Sequence, residues 1–125
     1  TSQQELLVLF QQQNKIKQAA NAAGVLFDAL PNEYQVARVA SLLYLENIHL
    51  GLAEYYARKA LSGIALENSQ NGNMLPNYYL TLAEIIFKTG NTPEAISTLD
   101  ELLLIAPNNP RAIAIKNMIE KNQAL

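Results

Sequence analysis

The sequence predicts an all-α fold of antiparallel helical hairpins stacked side by side, and three observations predict it. Apolar residues recur at helical spacing, with no alternating run of strand length beside them. Clusters of turn-forming residues break that pattern at 31–33, 47–51, 68–76, 90–93 and 107–110. The segments between the breaks are alike, position by position.

Each element has a local reason. Ser2 and Glu5 have capping-box spacing, so a helix starts at the beginning of the chain. Pro31 stops one helix and Asn32 is placed to cap the next. Residues 47–51 make a turn. Residues 68–76, with Asn71-Gly72 and then Pro76, make the longest loop. Thr92-Pro93 and Asn109-Pro110 each put a capping residue before a proline suited to the first helical position. Six helices of about 11 to 18 residues follow, with a shorter one at the C-terminus.

The likeness between segments has a period. A shift of 34 residues lays Leu6 on Ala40, Phe10 on Tyr44, Ala19 on Ala53 and Ala23 on Ala57. A further shift of 42 lays Ala40 on Leu82, Ser41 on Ala83, Tyr44 on Ile86, Ala53 on Ala95 and Ala57 on Leu99. The second interval is longer by eight residues, and the stretch around 69–75 is where the excess naturally sits. Small residues let the two helices of a hairpin approach, and large ones fill the space between hairpins.

The stretch 76–110 resembles one unit of the tetratricopeptide repeat (TPR) family. It is carried by Tyr79, Leu82, Ala83, Ile86, Gly90, Ala95, Leu99, Leu102, Leu103 and Pro107, in the family's order of bulky, small and turn positions. Residues 34–68 are similar but put Ile48 in the slot of the inter-helix glycine and Ala65 in that of the closing proline. Residues 1–33 depart further, with Leu7 where the family prefers a small side chain. The resemblance implies one domain over 1–125, with hairpins at about 1–33, 34–68 and 76–109 forming a short right-handed superhelix. Residues 110–123 would be its capping helix, with Ala112, Ile115, Met118 and Ile119 on one apolar face.

Composition narrows the function. Half of the residues are hydrophobic and 16% are charged, which suits a packed core. The net charge is -2 and the pI about 5.3, with Arg58-Lys59 as the one adjacent basic pair, so no nucleic-acid footprint is expected. No apolar run approaches the ~18 residues of a membrane span, so no direct membrane insertion is expected. No signal peptide is visible, and Thr1 in place of a methionine reads as a boundary inside a larger protein. Cysteine is absent, which rules out disulfide and thiolate–metal chemistry and leaves the compartment unassigned, cytoplasmic or periplasmic if bacterial.

The residues of catalysis are scarce. His49 is the lone histidine and falls at a hairpin turn, so no metal site and no cofactor are expected. Five scattered glycines build neither a P-loop nor a dinucleotide fingerprint. Asp100 and Glu101 point about 100° apart on a helix and read as a solvated face. Ser41 takes a packing position. The expectation is a protein that is not an enzyme.

In the family, the first helix of each hairpin lines a concave groove. Carrying that over puts Gln4, Val8, Gln11 and Gln12 there from the first hairpin. Gln35, Arg38, Leu42, Leu45 and Glu46 come from the second, and Asn77, Leu80, Glu84, Phe87 and Lys88 from the third. The carboxylate clamp of chaperone-binding members is absent, and Glu84 would repel a C-terminal carboxylate. Arg38, Leu42, Leu45, Leu80, Glu84, Phe87 and Lys88 are thus the expected partner-binding residues: an apolar floor with basic margins. Of the six tyrosines, Tyr44 and Tyr79 are expected in the core, and Tyr34, Tyr55 and Tyr78 on a contact surface.

The resemblance implies an adaptor or scaffold that binds an amphipathic or apolar protein segment in its groove, within a bacterial assembly or envelope-biogenesis protein. Two rivals stand beside it. One is a structural subunit that forms a homodimer through the groove, and the other a docking domain attached to a catalytic domain outside this sequence.

Overall fold

The computed structural model describes residues 3–12, 15–66 and 74–123. They form seven α-helices: α1 Gln3–Gln12, α2 Ile16–Ala29, α3 Tyr34–Glu46, α4 Leu50–Leu66, α5 Leu75–Lys88, α6 Thr92–Ile105 and α7 Pro110–Gln123. Each helix packs on its neighbours in sequence, and α3 also touches α5. The first helices of the second and third hairpins therefore share one side of the molecule. Ser2 and most of the 68–76 loop lie outside the described residues.

Two of the turns are built alike. The amide of Ile48 donates to the Leu45 carbonyl at 3.0 Å and that of His49 to the Tyr44 carbonyl at 2.8 Å. Forty-two residues on, Gly90 donates to Phe87 at 3.0 Å and Asn91 to Ile86 at 3.3 Å. Both turns need a left-handed residue. Gly90 supplies it with φ 93°, and Ile48 adopts it with φ 57°. A β-branched side chain there costs about 1–2 kcal/mol, so the backbone closure outweighs the local preference.

Three helix starts differ from expectation. Glu33, not Asn32, takes the position before α3, with no side-chain cap. The reason is a tight turn through Pro31 and Asn32, in which the Glu33 amide reaches the Leu30 carbonyl at 2.9 Å. Asn91, not Thr92, caps α6. Its side-chain oxygen accepts from the Glu94 amide at 3.4 Å while its Nδ2 donates to the Glu94 carboxylate at 2.7 Å. Such reciprocity is unavailable to Thr92, which enters the first turn ahead of Pro93. Leu75 begins α5 ahead of Pro76. Asn109 does cap α7, accepting from the Ala112 amide at 3.0 Å.

The core changes character along the stack. Between α2, α3 and α4 it is aromatic: Tyr44 stacks on Tyr56 at 5.6 Å, and Phe27 meets Tyr56 edge-on at 6.0 Å. Gly24 makes room for them, because a Cβ there would lie 2.7 Å from the Tyr56 hydroxyl. Between α5 and α6 the core is aliphatic, with Ile85, Ile86, Leu99 and Leu102 fully buried. Each such side chain contributes about 1.5–3 kcal/mol of burial. Leu7, in the slot of a small residue, is buried in the same core cluster.

The last helix, at 14 residues, is as long as α2, α5 and α6 and shorter only than α4. Ala112 and Ile119 are fully buried and Ile115 partly so, but Met118 is 48% exposed. Lys116 replaces it at the seam with α6, where its ammonium pairs with Asp100 at 2.6 Å. That pair explains the shift of the Lys116 pKa above its ordinary value, chiefly through the hydrogen bond to Asp100.

Candidate partner-binding face

The face made by α3 and α5 is organised around Arg38. Its Nε donates to Thr81 Oγ1 at 3.2 Å, and Thr81 Oγ1 in turn donates to the Asn77 carbonyl at 2.9 Å. The guanidinium carbon also lies 5.5 Å from the centre of the Tyr78 ring, a cation–π distance. Thr81 and Tyr78 are themselves buried, so both supports are fixed. Among the described residues, no carboxylate comes within ion-pair distance of Arg38. The other two arginines are paired: Arg58 with Glu54 and Glu94, Arg111 with Glu84.

Along α3 and α5 three of the apolar residues expected on this face are partly open. Leu42 is 36% exposed, and Leu45 and Phe87 are half-buried against the core. Lys88, Gln35, Glu46, Asn77, Gln4, Val8, Gln11 and Gln12 are exposed. Leu80 is not on this surface: it is 4% exposed and belongs to the core cluster. Its counterpart 42 residues earlier is Arg38, whose charge keeps it at the surface, whereas an apolar side chain at that position is drawn inside.

Of the neighbours Tyr78 and Tyr79, the one expected on a contact surface is the more deeply buried, while Tyr79 packs against the edge of the core. Tyr78 is buried, 2% exposed, and Tyr79 is half-buried. Burial raises the Tyr78 pKa, opposed by the nearby Arg38 charge, and its hydroxyl has no hydrogen-bond partner among the described residues. Adjacent helical residues point about 100° apart, so a shift of one position in the buried arc is enough to swap such a pair. Tyr34 is spent on packing. A Cβ at Gly63 would lie 2.0 Å from its ring. Tyr55 faces outward, 49% exposed, with the Lys59 ammonium 5.7 Å from its ring centre.

One neighbour of this face has no signal in the sequence. Arg111 of α7 holds the Glu84 carboxylate at 2.9 Å, so Glu84 does not stand on this face as an unopposed negative charge. The partners are 27 residues apart and on helices from different units, and no local spacing announces them.

On another surface, a depression of about 290 Å³ lies among Arg58, Ser62, Glu94, Ser97 and Glu101. Its cation is committed. Arg58 donates to Glu54 at 3.2 Å and to Glu94, and the Glu94 bond is the main cause of its raised pKa. This network ties α4 to the start of α6 and commits the depression's one arginine to carboxylates of its own molecule.

Helical hairpins in series, with the first helices of the second and third in contact, define a TPR-like helical repeat fold. Solved structures agree. The first TPR domain of Spaghetti (RPAP3), bound to the HSP90 peptide SRMEEVD, is similar at a TM-score of 0.73 and 20% identity, over 98% of this chain and 94% of that one. An O-GlcNAc transferase mutant from Thermobaculum terrenum is similar at a TM-score of 0.66 and 20% identity, over 94% of this chain but 22% of its own. At such identities the likeness establishes the fold. No protein-family model and no curated protein sequence matches the chain. Among the described residues, no helix is long and apolar enough to cross a membrane.

Proposed function

We propose that this chain is a non-enzymatic protein-interaction module that holds an amphipathic or extended apolar segment of a partner along the α3/α5 face. The observation that carries the reading is the set of partly open side chains Leu42, Leu45 and Phe87 on the two helices that a fixed cation, Arg38, joins. Apolar area removed from water there contributes about 25 cal/mol per Å², and helix-in-groove or extended recognition both exploit it. The Spaghetti domain, similar over nearly the whole chain, carries a peptide in its solved structure, which supports the same class of work here.

Two measurements test this together. Light scattering on a size-exclusion column should show a monomer across a wide concentration range. Peptides selected from a displayed library of random dodecapeptides should then lose at least about tenfold in affinity on Leu42→Glu or Phe87→Glu, with the melting temperature held. A dimer that dissociates on Leu42→Glu would assign this face to self-association instead. Peptides indifferent to both substitutions would place binding elsewhere.

A further inference from the structure

We infer that the partner segment presents a carboxylate side chain flanked by apolar residues, and that Arg38 receives it. The inference rests on the α3/α5 face being the binding face, and adds the chemistry of what binds. Three arginines occur in the chain, at positions 38, 58 and 111. Arg58 and Arg111 are satisfied by carboxylates of their own molecule. Among the described residues, Arg38 is held by neutral groups alone: a hydroxyl at its Nε and an aromatic ring beneath its guanidinium carbon.

That arrangement fixes the plane of the guanidinium without neutralising it. Thr81 can accept from Arg38 because its own proton is committed to the Asn77 carbonyl. The terminal Nη groups are left with a planar edge, which matches a carboxylate in two parallel hydrogen bonds. Little side-chain freedom remains to be lost on binding, since the rotamer is already set. Leu42 lies one helical turn along α3 from Arg38, so an apolar side chain next to the carboxylate would meet it. Glu84, one turn along α5 from Thr81, is the acidic group that could oppose an incoming carboxylate, and Arg111 holds it. The cation is half-buried, oriented and shielded from its nearest competitor on α5.

The test uses the whole chain and the selected dodecapeptides. Binders should carry Asp or Glu beside Leu, Ile or Phe. Changing that acidic residue to its amide should lower affinity by about tenfold for the wild-type chain. The same change should have little effect on binding to Arg38→Gln, so the two losses are not additive. Arg38→Lys should recover part of the affinity, because it keeps the charge and loses the planar pair of donors. Circular dichroism and melting of Arg38→Gln establish that the chain is folded in each comparison. Equal losses on wild type and Arg38→Gln would overturn the inference. If Leu42→Glu still abolished binding in that case, the binding face would stand and only its chemistry would change. Binders without acidic enrichment would overturn it too. A library yielding no binder at all would overturn both the face and its chemistry.

Discussion

The second and third hairpins share a backbone plan and differ in nearly every side chain that implements it. Ala37, Ala40, Tyr44, Ile48, Ala57 and Ala60 stand where the third hairpin has Tyr79, Leu82, Ile86, Gly90, Leu99 and Leu102. In the third, bulky aliphatics fill the seam and glycine makes the turn. In the second, alanines bring the helices close, two tyrosines fill what remains, and isoleucine is forced through the turn. The plan therefore belongs to helix spacing and turn hydrogen bonding. Volume can be traded between partners as long as the sum is kept.

The largest expected effect comes from the position where the second hairpin has no volume to spare. Gly63 faces the Tyr34 ring, with 2.0 Å between that ring and the site of a Cβ. Gly63→Ala should cost about 2–3 kcal/mol in urea unfolding, because the ring must leave its seat. The matching residue of the third hairpin, Ile105, is 50% exposed, and Ile105→Ala should cost under about 1 kcal/mol. In a Tyr34→Ala background the Gly63→Ala penalty should largely vanish. A Gly63→Ala chain as stable as the parent would mean that the ring is not what limits this seam.

How much of this was legible in the sequence follows the same division. The third hairpin announces itself through Gly90, Ala95 and Pro107. The second is visible mainly through its period, since its glycine and proline slots hold Ile48 and Ala65. The candidate site was half legible. Register pointed to Arg38, Leu42, Leu45 and Phe87 along α3 and α5 as candidates, but could not tell that Leu80 turns inward or that Tyr78 lies under Arg38. Those outcomes depend on packing between units. The Glu84–Arg111 pair was invisible because it joins helices with no spacing rule between them.

A swap of turn residues sharpens the comparison at smaller amplitude. Ile48→Gly should stabilise the chain by about 1 kcal/mol, since it relieves a left-handed β-branched residue that is 81% exposed and packs on little. Gly90→Ile should destabilise by a similar or larger amount. No heavy atom would crowd a Cβ at Gly90, so its cost would be conformational and not steric. Thermal melts of the two single variants and the double swap decide it. If Ile48→Gly were destabilising, the isoleucine side chain would have to contribute through contacts that outweigh its φ.

The smallest effect is absent at neutral pH and appears only in alkali. Burial, reinforced by Asp28, pushes the Tyr56 hydroxyl from 10.0 up to about 12, and the same two causes raise Tyr44. Tyr78 is also raised by burial, but there Arg38 opposes the shift. A raised pKa in the folded chain means that the folded state keeps protons the unfolded state has released. The stability linked to Tyr56 is thus fully present below pH 10 and is lost as pH rises toward about 12. Urea midpoints taken at intervals across that window should fall, and Tyr56→Phe should flatten the fall more than Tyr78→Phe does. The reason lies in what surrounds each ring: in the second hairpin a neighbouring carboxylate adds to desolvation, and in the third a cation subtracts from it. Equal flattening by the two variants would mean that burial alone governs both tyrosines, and that the charges beside them carry no weight at this depth.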